Sequence, residues 1–241
     1  ISGDSTIDVA SDMTLTYSGD AIDINTYQLT FLGKGTLLNS NAVLLSNSEG
    51  LIVFADDITV ALVEVTAGSS SGKGIQVKSA GANVTTLNML ADLIIIFDND
   101  QYVFNVENLV VGAVATLSTE GSRGLVNITE LVQDNENALL TMHNITAKVQ
   151  KEIELSFKNQ IAMTGSTIFE VLGGLTFNVT GTMDFKGHLT ANINLKGGKM
   201  CVIDNSTING DISLLANSVI YIAPEKVLTY KGENKLEVNN L

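Results

Sequence analysis

Leu175–Ile222 reads LTFNVTGTMDFKGHLTANINLKGGKMCVIDNSTINGDISLLANSVIYI, and its texture decides the fold class. Apolar residues alternate with polar ones in short bursts: Leu175, Phe177, Val179; Met183, Phe185; Ile193, Leu195; Met200, Val202; Ile212, Leu214; Val219, Tyr221. Gly, Asn, Asp and Lys separate the bursts. Period-two alternation over a few residues, punctuated by turn formers, marks half-buried strands. No window sustains the i, i+3, i+4 spacing of an amphipathic helix.

Working outward, the same texture runs through the chain. Bursts at Ile7 and Val9, Met13 and Leu15, Ile22 and Ile24, Leu29 and Phe31 precede others at Val43 and Leu45, Leu51 and Val53, Ile58 and Val60. Leu93-Ile-Ile-Ile-Phe97 lacks polar interruption and is expected to be a strand buried on both faces. Hydrophobic residues form 45% of the 241 and aromatics only 5%, so the core is expected to be aliphatic, built in stacked layers. Pro224 is the single proline, against roughly 5% in average usage, so most backbone N–H groups are available for ladders.

The net charge is −13, and Arg123 is the only arginine. Nucleic-acid and phosphate recognition rely on arginine forks and basic stripes, so nucleic acid is not an expected partner. No apolar run reaches the length of a membrane-crossing helix, and no membrane insertion is expected. Cys201 stands alone in strand-like MCVI and is expected to be a buried apolar side chain. The chain opens on Ile1 without a signal-like stretch, as a processed chain or an excised fragment would.

A weak internal period appears from residue 125 onward. Val126-Asn-Ile-Thr is echoed by His143-Asn-Ile-Thr, placing Asn127 and Asn144 17 positions apart, a short rung. Units that cannot bury a face alone stack into solenoids. At one rung per ~20 residues the chain makes roughly ten to twelve rungs. Residues 1–20 are expected to form an N-terminal cap, and residues 223–241, with Lys231, Glu233, Lys235 and Glu237, a polar C-terminal cap.

Two segments resemble known families. Residues 21–38, AIDINTYQLTFLGKGTLL, resemble the first complete turn of pectin-lyase-like right-handed parallel β-helices, in which a D-L-N-G-x-x-L-T phrase leads into a strand and a Gly-rich corner. Thr26 and Tyr27 stand where that phrase has its Gly. Residues 175–222 are similar to the Asn/Gly-cornered rungs of bacterial autotransporter passengers and related surface adhesins. That resemblance implies a secreted or surface-anchored protein. The pectin-lyase-like one invites an enzyme reading, since polysaccharide lyases of that family use a Ca²⁺-binding acidic cluster and a basic residue that abstracts a proton.

Weighed residue by residue, the chemistry is sparse. Arg123 lies in a Ser-Arg-Gly corner without an acidic motif beside it in sequence. His188 lacks a preceding Asp-Asp strand motif, and Asp56-Asp57 lies far upstream. Asp98 and Asp100 are candidate Ca²⁺ ligands, being alternate acidic positions in a loop, but the Gly and Glu of an EF-type loop are missing and a solvated turn is the simpler reading. His143 has no partner at metal-ligand spacing. The run Ala67–Gly74 reads as a flexible loop, since Lys73 is followed by Gly74 and breaks the phosphate-loop spacing. Five N-x-S/T triplets place possible glycosylation at Asn83, Asn127, Asn144, Asn178 and Asn205. For most of them an inward-facing Asn ladder at rung corners is the favoured role.

The expectation is one all-β domain over residues 1–241, a right-handed parallel β-helix, with a β-sandwich or jelly roll as the alternative. The expected function is a non-enzymatic, extracellular or cell-surface adhesion module without a cofactor, its lateral face turned to a host-surface protein or glycan. Self-association into a filament or sheath, through sheet edges or end-to-end stacking, is the second reading. A polysaccharide-cleaving enzyme is the third.

Overall fold

Nearly every burst of alternation becomes a strand, and each strand pairs with its counterpart one turn away. The computed structural model describes residues 1–47, 49–56, 58–67, 74–134, 138–151, 153–155, 160–164, 167–171, 176–179, 182–186, 188–190, 192–232 and 237–239. Among these residues there is no helix, and the strands form sheets of 11, 12 and 5 strands, here A, B and C. Every neighbour within a sheet comes from an adjacent turn, and the pairings are parallel throughout the described residues. That is a β-solenoid. The sandwich alternative required antiparallel ladders.

The turns are not of constant length. Ser5 pairs with Leu29, Asn105 with Asn127, Thr182 with Lys199 and Ser213 with Glu237, so the circumference narrows toward Lys199 and widens again by the last turn. The spacing between Asn127 and Asn144 is not the repeat there. Asn127 pairs with Lys148, whereas Asn144 sits in a corner at φ 52°. Corners elsewhere use the same left-handed backbone at Asp12, Asn25, Asp56, Ala216 and Glu225. Asp and Asn tolerate that region better than most residues, and at left-handed Asn25 the backbone N–H donates to Asp23 Oδ1 at 2.9 Å, fastening the corner.

Sheet B contains the long strands Gly81–Met89, Val103–Val111 and Leu125–Gln133. Each bends once. Val84, Val106 and Ile128 point inward, the next two positions of each strand both turn outward, and inward alternation resumes at Leu87, Leu109 and Leu131. The ladder breaks at Thr85, Glu107 and Thr129 and is restored at Thr86, Asn108 and Glu130. One continuous strand thereby wraps two faces of the core.

One buried cluster runs along the whole axis. It is mainly aliphatic, but the aliphatic expectation was incomplete: Phe31, Phe54, Phe97, Phe104, Phe169 and Phe185 are fully buried. Phe31 stacks on Phe54 with centroids 5.8 Å apart, and Phe104 lies 6.2 Å from Phe54. The strand Leu93–Phe97 is buried on one face rather than two, since Ile94 and Ile96 face outward, half covered, in register with Ser118 and Glu120. Gly33 turns the first complete corner at φ 104°, where a Cβ would lie 2.2 Å from the Val9 carbonyl oxygen. That oxygen accepts from the amides of Lys34 and Gly35 at 3.1 and 2.9 Å, so the corner wraps the turn before it.

Residues 1–20 supply paired strands, Ser5–Val9 in sheet A and Thr14–Tyr17 in sheet B. At the other end Val219–Ile222, Leu228–Tyr230 and Glu237–Asn239 close sheets A, B and C. Residues 68–73 of the Gly/Ser run, and 233–236 and 240–241 of the tail, lie outside the described residues, as do Asp57 and Leu175.

Candidate functional site

The bend of sheet B brings one column of outward side chains into register over successive turns: Asn83, Asn105, Asn127, Lys148 and Glu170. Parallel pairing stacks equivalent positions directly over one another, so like amides meet head to tail. Asn105 Nδ2 donates to Asn83 Oδ1 at 2.9 Å, and Asn127 Nδ2 donates to Asn105 Oδ1 at 2.9 Å. Gln150 Nε2 donates to Asn127 Oδ1 at 2.9 Å, extending the ladder by a turn. Beyond it Lys148 pairs with Glu170 at 2.9 Å.

Asn83, Asn105 and Asn127 form one wall of a lateral groove of about 390 Å³. The bend residues Thr85, Glu107 and Thr129 line it together with Val84 and Val106. The groove holds amide donors and acceptors, two hydroxyls and one exposed carboxylate, with apolar patches between them. It contains no positive charge and no aromatic ring. Such a surface offers hydrogen bonds to an uncharged, hydroxyl-rich ligand and repels anions.

The ladder corrects the expected one in position. It is formed by outward side chains in mid-strand, not by inward side chains at corners, because the inward positions at 84, 106 and 128 are aliphatic. Of the five glycosylation candidates, Asn83 and Asn127 belong to it. Asn144 and Asn205 occupy exposed corners, where Asn205 Oδ1 accepts from the Val227 amide one turn on at 2.9 Å. Asn178 is placed in the strand Thr176–Val179, paired with Glu154 and Asn194, with its side chain outside the described residues.

The remaining candidates fall elsewhere. Asp98, Asn99, Asp100, Ser122 and Arg123 line one open depression of about 510 Å³, so the fold sets Arg123 beside the acidic pair from which sequence separates it. Asp98 Oδ1 accepts from Gln76 at 2.8 Å and Asp100 Oδ1 from Gln101 at 3.1 Å. With those oxygens amide-bonded and a guanidinium at hand, the depression has its own counter-charge. Among the described residues no group of three or more His, Cys, Asp or Glu is arranged to hold a metal ion. His143 ends the strand Leu139–His143 in sheet A, with Nε2 2.9 Å from Asn144 Nδ2. His188 opens the strand His188–Thr190 in sheet B, so the two histidines lie on different sheets.

Cys201 is buried as expected, but on the outer face of sheet A between Asp184 and Tyr221, not in the core. Burial pushes its thiol pKa up; Lys199 opposes that and Asp184 reinforces it. At a neighbouring corner Asp204 receives Lys186 and Lys226, each at 3.0 Å, tying three successive turns together. Bonds from Lys226 and then Lys186 hold its carboxyl well below the usual carboxylate range.

No protein-family model matches the chain, and comparison with curated proteins and with solved structures returns no match. Asn105 and Glu107 were missed in sequence, because Asn105-Val-Glu is not a glycosylation triplet, and Thr85 and Thr129 were read only as the last residues of the triplets at Asn83 and Asn127. The signal was there in the recurrence of Asn83-Val, Asn105-Val and Asn127-Ile at steps of 22.

Proposed function

We propose that this protein is a non-enzymatic, extracellular or cell-surface binding module, akin in role to an autotransporter passenger or adhesin, whose lateral groove on sheet B takes a neutral glycan. The amide ladder with its flanking hydroxyls carries this reading. Asn83, Asn105 and Asn127 repeat the same hydrogen-bonding group along the axis, and the ladder fixes their orientation in advance. A ligand that is itself a linear repeat of hydroxyl groups can then meet equivalent partners on successive turns. Preorganised polar groups lower the ordering cost of binding.

The test is a glycan screen with the purified chain, followed by calorimetry on the neutral oligosaccharides that bind. Thr85→Ala, Glu107→Ala and Thr129→Ala combined leave the ladder intact and strip the groove of its other polar groups. Binding lost in that variant, with an unchanged far-UV spectrum and melting temperature, supports the reading. Binding that survives unchanged both in that variant and in Asn105→Ala, or that is confined to anionic glycans, overturns it.

A further inference from the structure

The groove on sheet B has a direction and a period. Two columns of side chains line it: the amides of Asn83, Asn105 and Asn127 and, two positions further along each strand, Thr85, Glu107 and Thr129. Each column takes one residue from each of three successive turns. Neighbouring strands of a sheet lie ~4.8 Å apart, so the same pair of positions recurs at that interval along the solenoid axis.

The ladder leaves its amides with hydrogen-bonding capacity to spare. A side-chain amide has two N–H donors and two acceptor lone pairs. Asn105 uses one of each, donating to Asn83 and accepting from Asn127. Asn127 does the same, donating to Asn105 and accepting from Gln150. One N–H and one lone pair per turn therefore remain for a ligand. A hydroxyl both donates and accepts, so it satisfies the pair whichever carbon bears it.

The repeat is also bounded. One turn before Asn83 the register holds Ala61, and one turn after Asn127 it holds Lys148, whose ammonium pairs with Glu170 at 2.9 Å. The column of asparagines is three turns long.

From this period and this length we infer which glycan fits, an inference that rests on the neutral-glycan reading of the groove: a straight run of three β-1,4-linked pyranose rings, laid along the solenoid axis with one ring to a turn. Linkage through equatorial oxygens at C1 and C4 keeps a pyranose chain extended, and each ring advances it by nearly the spacing of one turn. An α-1,4 linkage is axial at C1, coils the chain and carries its rings off the line of the ladder. A 1,6 linkage adds a rotatable bond per ring, and ordering it opposes binding. Alternate rings of an extended ribbon turn opposite edges toward the protein. Because every amide offers donor and acceptor together, both edges are accepted. The Glu107 carboxylate meets the middle ring, accepts from its hydroxyls as a charged and hence stronger acceptor, and repels rings that carry a carboxylate. No aromatic ring lines the groove, so the chain is held by hydroxyls along its edge and not by stacking of its faces.

The experiment is calorimetry of the full chain with neutral oligosaccharides of two to six rings: β-1,4-linked glucose, mannose and xylose, against α-1,4-linked glucose. In at least one β-1,4 series affinity is expected to rise roughly three- to tenfold from two rings to three and to change little beyond, with the α-1,4 series weaker at every length. Asn83→Ala should abolish the gain from the third ring and spare the two-ring ligand, which still has two intact turns to occupy. Asn105→Ala should weaken both lengths. Thr85→Ala, on the same turn as Asn83 but outside the ladder, repeats the first test without touching the bonds between turns. Equal affinity for α- and β-linked three-ring ligands, no gain from two rings to three, or a gain that survives both Asn83→Ala and Thr85→Ala overturns the inference and leaves a neutral-glycan groove standing. So does binding confined to neutral glycans of another linkage. A chain that binds no neutral oligosaccharide at all overturns the glycan reading together with it.

Discussion

Asn105→Ala removes the middle of the amide ladder. Asn105 donates to Asn83 and accepts from Asn127, both at 2.9 Å, so two bonds are lost where Asn83→Ala loses one. A neutral hydrogen bond contributes about 0.5–1.5 kcal/mol net. Because the column faces outward, the amides of Asn83 and Asn127 can turn to water and escape the full penalty of an orphaned buried group. The expected cost is about 2 kcal/mol for Asn105→Ala and about 1 kcal/mol for Asn83→Ala. Solenoid stability is close to a sum over turns and their interfaces, so the loss should be local. Amide hydrogen exchange should show deprotection of Val84, Val106 and Ile128 and unchanged protection near Met200 and Val202. Urea unfolding should move its midpoint without changing its slope. Equal costs for the two variants, or deprotection spread evenly over the chain, would refute the ladder as a stabilising unit.

Three further outcomes follow from the geometry. Phe54→Ala empties the centre of the Phe31–Phe54–Phe104 stack and should cost about 3–5 kcal/mol, read from the shift of the urea midpoint; a cost below that of an exposed substitution would contradict the packing. Asp204 has a folded pKa below its unfolded value, so its contribution is full above the ordinary carboxylate range and disappears as pH falls through the folded pKa. Its side-chain carbon in an NMR titration should therefore move at lower pH than that of an isolated aspartate, and Lys226→Met should return it upward. The Cys201 thiol should alkylate with iodoacetamide more slowly than a free cysteine at mildly alkaline pH and speed up on unfolding, since burial raises its pKa and restricts access; equal native and unfolded rates would show it to be open.

The strands and their inner faces were legible in the sequence, because alternation is enforced locally: Ile7, Val9, Leu29 and Phe31 must share a face wherever the strand is placed. The candidate site was less so. Asn83 and Asn127 were singled out for their triplets, but their partner Asn105 and the carboxylate of Glu107 carry no local mark. The bend at Thr85, Glu107 and Thr129 sets two consecutive outward residues in mid-strand, which reads in sequence as a break between short strands. Arg123 and the Asp98–Asp100 pair show the same limit, separated along the chain and joined only across adjacent turns.

By itself, then, the sequence determined an all-β chain with an aliphatic-rich inner face, polar corners and an acidic surface, since each follows from side-chain period and composition. Tertiary structure decided the register. Turn length varies along the axis, so no fixed sequence period reveals which residue stands over which. Parallel stacking alone turned three asparagines into a ladder beside a groove and brought Lys186 and Lys226 from two neighbouring turns onto Asp204.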